Sequence, residues 1–213
     1  SNLKRWGKRV MSTCPLCSFP HGTLAHIINF CPVSLNQGRY TWRHDSVLNH
    51  LYDQVKAEAT GDIEIFSDLP GKGINNSTIP QDIIVTNGFG SKPDLVVLSR
   101  STKTIALLEL TCPLDRNLHK AHSYKVDKYT DLESDLEAKG WKMHLVPFEV
   151  SSRGQILKHT QTHIFNTLKV FNIKFRTHQK LTKNLSKISL LCTFAVFHAF
   201  QTKEWIDPPF LKP

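Results

Sequence analysis

Two carboxylates stand where a hard cation would want oxygen ligands. Asp94 opens the run Lys92-Pro93-Asp94-Leu95-Val96-Val97-Leu98, and Glu109 lies near the end of Ile105-Ala106-Leu107-Leu108-Glu109-Leu110-Thr111. Both runs have the length and apolar content of buried strands, and the polar residues Ser99 to Thr104 between them suit a hairpin turn. Pairing those strands brings Asp94 and Glu109 to one sheet edge, where Mg2+ or Mn2+ would find two hard ligands, helped by the Leu110 carbonyl. A second set is softer: Cys14, Cys17, His26 and Cys31 follow a C-x2-C-x8-H-x4-C pattern, with His21 a competing ligand. Three thiolates and an imidazole suit a closed, four-coordinate Zn2+. Such a site is structural, and in so short a segment metal binding supplies much of the folding free energy.

Hydrolysing a phosphodiester takes a metal, an activated water and a cation against the developing phosphate charge. A lysine two residues past the second acid would share its strand face, but Thr111 holds that position. Lys125 and Lys128 are the replacements, three residues apart on one face of the following helix, with Lys125 the first choice. Asp45 and Glu58 are candidate third metal ligands, and Arg43 and His44 would either touch phosphate or cap a helix. Tyr124 and Tyr129 would pack or touch DNA, and His119 and His122 read as structural or surface residues. Cys112 and Cys192 are expected to be buried.

The charge map names the partner. Lysine and arginine number 27 against 18 acids. Residues 1–44 hold six bases and no acid, residues 151–203 nine bases and no acid, and residues 45–149 sixteen acids and eleven bases. Basic flanks are the footprint of phosphate binding, because Lys and Arg displace counterions condensed on nucleic acid. Lys4, Arg5, Lys8, Arg9, Arg43, Lys174, Arg176 and Lys180 are the expected contacts with target DNA. Five cysteines, three of them within the first 31 residues, argue for a reducing compartment. The longest apolar run, Ile188 to Phe200, is too short to span a bilayer and reads as a buried helix, so no membrane partner is expected.

Apolar spacing predicts a helix over Arg43 to Glu58 with Asp45 as N-cap, then strands at Ile63 to Phe66 and Ile83 to Val85, the latter closed by Asn87-Gly88. The two carboxylate strands follow, then a single polar helix from Leu118 to Lys139, a strand within Trp141 to Val150, a helix over Gln155 to Phe171, and a basic helical segment from Lys174. The expected fold class is α/β, a mixed central sheet flanked by helices, with a basic arm and knuckle at residues 1–40, a main domain at 41–172 and a basic helical extension at 173–213.

The order strand-Pro-Asp, strand-Glu-x-Thr, helix with Lys resembles the PD-(D/E)-x-K nuclease superfamily, in the variant whose lysine has moved to the next helix. With Cys14-x2-Cys17-x8-His26-x4-Cys31 upstream, the chain from about 14 to 150 resembles the C-terminal end of a non-LTR retrotransposon polyprotein. Arg43-His44-Asp45-Ser46-Val47, Glu109-Leu110-Thr111-Cys112-Pro113 and Lys125-Val126-Asp127-Lys128-Tyr129 add to that likeness. In that family a zinc knuckle and a restriction-like endonuclease follow a reverse transcriptase. The resemblance implies a restriction-endonuclease-like fold and metal-dependent nicking of target DNA that leaves a 3′-hydroxyl to prime reverse transcription. It implies a nuclear location, the element RNA and the reverse-transcriptase domain as further partners, Asp94 and Glu109 as metal ligands, and Lys125 or Lys128 as the catalytic cation. Two rival readings stand beside it: a binding domain of this fold with an inactive or partner-dependent nuclease, and a self-standing repair or restriction-type nuclease.

Overall fold

The structure, a computed structural model, describes residues 13–73, 79–80, 82–83, 92–175 and 177–211. After the Cys14–Cys17 turn, a π-helical turn spans His26–Phe30 and a short helix α1 spans Pro32–Asn36. Gly38, at φ +75°, turns the chain into α2, Arg39–Glu58. Strands β1 (Ile63–Ser67), β2 (Leu95–Ser99) and β3 (Thr104–Thr111) follow, then helices α3 (Leu118–Lys128) and α4 (Thr130–Ala138). Strand β4 (Lys142–Glu149) and helices α5 (Lys158–Val170) and α6 (His178–His198) complete the order.

The four strands form one mixed sheet in the order β1-β2-β3-β4, with β1-β2 and β2-β3 antiparallel and β3-β4 parallel. β2 is buried at all five positions and β3 at seven of eight, which is why both read as continuous apolar runs rather than alternating ones. One face places Val96, Leu98, Ile105 and Leu107 against Tyr129, Leu132 and Leu136. The other places Leu95, Val97, Ala106, Leu108 and Phe148 against α2, α5 and α6. The sheet is therefore the middle layer of three, and the fold is the mixed α/β architecture expected.

Several local expectations are corrected. Asp45 does not cap α2, which begins six residues earlier at Arg39, so Asp45 lies within the helix. The single helix expected over Leu118 to Lys139 is two, broken at Tyr129 (φ −110°, ψ 5°), whose fully buried ring turns into the sheet. Ile83 sits in a turn, and Ile84, Val85, Asn87 and Gly88 lie outside the described residues. Helix α6 is buried along Leu181, Leu185, Ile188, Cys192 and Val196, in the same cluster as the sheet. Leu190, Leu191 and Phe194 on its other side are exposed, so Ile188 to Phe200 is not buried throughout. Among the described residues, no helix is long and apolar enough to cross a membrane.

The ends of the described chain are tied to this body. Ile27 and Ile28 pack on Leu114, with Phe197 and Phe200 alongside. The segment after α6 folds back over α2: Arg39 donates to the Ala199 and Thr202 carbonyls at 2.6 and 2.7 Å, and Trp42 Nε1 donates to the Pro208 carbonyl at 2.6 Å.

Candidate functional site

The β2-β3 register pairs Leu95 with Leu108, so one step further along the ladder sets Asp94 opposite Glu109. Alternation places both on the sheet face covered by α3 and α4. Asp94 is anchored from two sides. Its carbonyl accepts from Asp68 N–H at 3.1 Å and Ser67 Oγ at 2.8 Å, and its Oδ2 accepts from Leu110 N–H at 2.7 Å.

Glu109 is 1% exposed. A carboxylate that deep must be paired or it would neutralise, and two side chains from the α3-α4 break do the pairing. Lys125 Nζ donates to Oε2 and Tyr129 Oη donates to Oε1. Lys128 stands one position further out: it is exposed, and its Nζ lies 3.0 Å from Tyr129 Oη. The two lysines that sequence left as alternatives are thus separated by geometry, with Lys125 on the carboxylate and Lys128 on the tyrosine. Burial and the adjacent Glu109 push the Tyr129 phenol far above its usual range, so it stays protonated and donates.

His44 completes the cluster. Its Nδ1 lies 2.9 Å from Asp45 Oδ1, and its Nε2 lies 3.2 Å from the Leu110 carbonyl and 3.4 Å from Asp94 Oδ2. Carbonyl and carboxylate oxygens only accept, so both ring nitrogens donate and the ring is an imidazolium. Burial alone would lower its pKa, but the Asp45 and Asp94 carboxylates hold it well above the ordinary histidine value. His44, expected to touch phosphate or cap a helix, instead shares one face of α2 with the buried Leu48, Leu51 and Val55, a spacing that marks it in the sequence.

Could a hard divalent ion fit these groups? The donor set is all oxygen: Asp94, Glu109 and the Leu110 carbonyl, which suits Mg2+ or Mn2+. Each carboxylate oxygen has two acceptor positions, so the donors from Lys125, Tyr129 and Leu110 N–H leave capacity for a cation. Glu58 does not belong to the set. It is exposed and lies fourteen residues beyond His44, roughly 21 Å along the helix. Asp45 reaches the cluster through His44.

Arg43 corrects an expectation. It is 2% exposed, not a surface contact for DNA, and donates to the Ile28 carbonyl at 2.9 Å, Thr193 Oγ1 at 3.1 Å and the Cys112 carbonyl at 3.2 Å. One guanidinium therefore joins the π-helical turn, α6 and the segment after β3. Arg43→Met should take a donor from the buried Ile28 carbonyl and Thr193 Oγ1, while the Cys112 carbonyl keeps Asn29 Nδ2, and cost on the order of 3 kcal/mol. Urea unfolding midpoints check this, and a change within about 0.5 kcal/mol would contradict it.

The cysteine and histidine set is already drawn together. The ligand atoms of Cys14, Cys17, His26 and Cys31 all lie within 4.8 Å of one another. Cys14 Sγ and Cys31 Sγ are 3.9 Å apart, and Cys17 Sγ is 3.2 Å from His26 Nε2. A tetrahedral ion with Zn–S bonds of about 2.3 Å would separate two sulfurs by roughly 3.8 Å. The set could therefore hold a structural metal such as zinc, with His26 rather than His21 as its imidazole. All five cysteines are free thiols, and burial keeps the His26 pKa below its usual value, favouring the neutral, ligating ring.

The remaining expected positions fall into place or outside. Cys192 is fully buried, and Cys112 is half-buried. Lys174 and Lys180 are exposed, whereas Lys4, Arg5, Lys8, Arg9 and Arg176 lie outside the described residues. An open depression of about 340 Å3 beside the cluster is lined by Asn29, Tyr40, Thr41, Arg43, His44 and Cys112, linking the Cys/His segment to Asp94 by way of His44. No family model matches the chain, and no curated protein matches it.

Proposed function

We propose that this chain is a metal-dependent DNA endonuclease that nicks target DNA and leaves a 3′-hydroxyl primer, as the nuclease module of a non-LTR retrotransposon does. The observation that carries the reading is the meeting of Asp94, Glu109 and Lys125 at one end of the β2-β3 ladder. Two opposed carboxylates and an ammonium, drawn from two strands and the following helix, are the parts phosphodiester hydrolysis needs.

When bound, a Mg2+ or Mn2+ ion polarises a phosphodiester and lowers the pKa of an attacking water. Asp94, Glu109 and the Leu110 carbonyl would supply its ligands. Lys125 places a positive charge at that point, where it offsets charge developing on the phosphate. Tyr129 fixes the second oxygen of Glu109 and so the plane of that carboxylate. The Cys/His segment, continuous with the depression at His44, guides the strand toward the carboxylates. The exposed Lys174 and Lys180 add sequence-independent phosphate contacts.

One observation favours a second reading, a nuclease that waits on a partner domain. Both oxygens of Glu109 already carry donors, and His44 lies against Asp94 and the Leu110 carbonyl, so a bound ion shares each of its ligands with a protein donor that a partner domain could shift. Lysine variants test the first reading. Lys125→Ala should lower nicking of supercoiled plasmid by about 100-fold or more, and Lys128→Ala by less than about 10-fold. Extension of the nicked strand by a DNA polymerase without prior phosphatase treatment reports the 3′-hydroxyl. Equal losses from the two variants would contradict the assignment.

A further inference from the structure

A second group of side chains lies around the end of β4, on α3 and α5. His122 of α3 and His159 of α5 have ring centroids 5.9 Å apart, and His119, one turn back on α3, stacks with His159 at 6.2 Å. His163 follows His159 by one turn of α5, the i, i+4 spacing that sets two imidazoles on one helix face. Two imidazoles on one tetrahedral or octahedral ion, with metal–nitrogen bonds of about 2.0–2.1 Å, hold neighbouring ring centroids roughly 4.5–5.2 Å apart. The observed separations are wider by roughly 1 Å, so the rings must turn inward to share an ion.

Beneath the rings is Glu149, the last residue of β4 and 1% exposed. Its Oε1 lies 3.0 Å from His122 Nδ1, and its Oε2 accepts from Thr160 Oγ1 at 3.0 Å. A carboxylate only accepts, so Nδ1 carries the proton of this contact and Nε2 is the nitrogen turned away from Glu149. A buried carboxylate holding one ring nitrogen so that the other can ligate is the outer-shell arrangement of histidine metal sites.

We propose that His119, His122 and His159 bind a borderline divalent transition ion, such as Zn2+, Ni2+ or Co2+, with Glu149 orienting His122 as the supporting carboxylate. The site differs from the two already described. Its donors are nitrogens, unlike the oxygens around Asp94, and it opens at the surface, unlike the closed Cys/His quartet. His119 and His159 are exposed, and their rings close on the ion by side-chain rotation, which at a surface is fast. The ion would clamp α3, the helix that carries Lys125, to α5 across the edge of β4.

Titration of the full chain, pre-loaded with one equivalent of zinc, with Ni2+ by calorimetry tests this. The expected result is one further equivalent bound with a dissociation constant of about 1–10 μM, weakened about 10-fold or more by His159→Ala and by His122→Ala. His178→Ala, at a histidine stacked on Phe165 away from this group, and Asp94→Ala should both retain it. With Cu2+ as probe, electron paramagnetic resonance should show nitrogen hyperfine structure that His159→Ala reduces. His159 is exposed and at the start of its helix, so its variant tests ligation without disturbing the core. No further equivalent, or one held equally tightly by the His159→Ala protein, would overturn the proposal.

Discussion

Glu109→Gln is expected to lower magnesium-dependent nicking by about 1,000-fold while the protein stays folded. Gln keeps the volume of the side chain and an oxygen that can accept from Tyr129 or Lys125, so the buried position remains filled and partly satisfied. It removes the negative charge, and with it the hard anionic ligand and the counter-charge to Lys125. A single electrostatic group in a water-poor site contributes about 100- to 1,000-fold, and a metal ligand can exceed that because its loss also weakens occupancy. Mn2+ binding, followed by electron paramagnetic resonance, should weaken together with nicking, and urea unfolding should show the variant still cooperative. Glu109→Ala is less informative, because it leaves Lys125 facing an emptied interior and costs stability of about 3–5 kcal/mol. A Gln variant that nicks at the native rate would assign Glu109 a purely structural role.

Stripping metal from the Cys14, Cys17, His26 and Cys31 set should have the largest effect on stability. Zinc binding by short peptides of this kind is worth about 10–16 kcal/mol, and in them it is also the folding free energy. The segment holding these ligands contributes a small cluster, Ile27 and Ile28 with Leu114, and its Ile28 carbonyl is one of the partners of Arg43. Loss of the ion therefore reaches beyond residues 14–31 to α2, α6 and the segment after β3. Cys31→Ser, at a fully buried ligand, should lower the midpoint of thermal unfolding by roughly 10 °C or more, the equivalent of about 3–5 kcal/mol in a chain of this size. Amide exchange should accelerate first around Ile27 and Ile28. A strong chelator should reproduce both effects, and added zinc should reverse only the chelator's. An unchanged midpoint would show that the four side chains hold no structural ion.

Much of this architecture could be read from the sequence because its signals are local. The C-x2-C-x8-H-x4-C spacing is a short-range pattern, and its four side chains do converge. Strands β2 and β3 are apolar almost without interruption because both of their faces are covered, so their positions were plain within a few residues. What escaped the sequence was set by tertiary contacts. Tyr129, Leu132 and Leu136 fall on one helical stripe, so the pattern runs on through Tyr129. The break there comes with a ring turned into the sheet and a hydroxyl bonded to Glu109, twenty residues earlier in the chain. Arg43 looked like surface because an arginine usually is, and its three interior partners are distant in sequence. His44 was visible in position, on the buried stripe of α2, but not in partner, since Asp94 and Leu110 reach it only through the fold. The start of α2 was misplaced because Asp45 suits a cap, whereas the turn is made by Gly38.

Incubation of supercoiled plasmid with the purified chain, with and without Mg2+, beside an Asp94→Ala variant, tests the central claim most directly. The predicted result is open-circular product that forms only with the metal, carries a 3′-hydroxyl, and falls by at least about 100-fold in the variant. Nicking that persists in a chelator, or that the Asp94→Ala protein matches, would contradict it, as would a zinc-loaded native chain that leaves the plasmid intact in Mg2+ and in Mn2+.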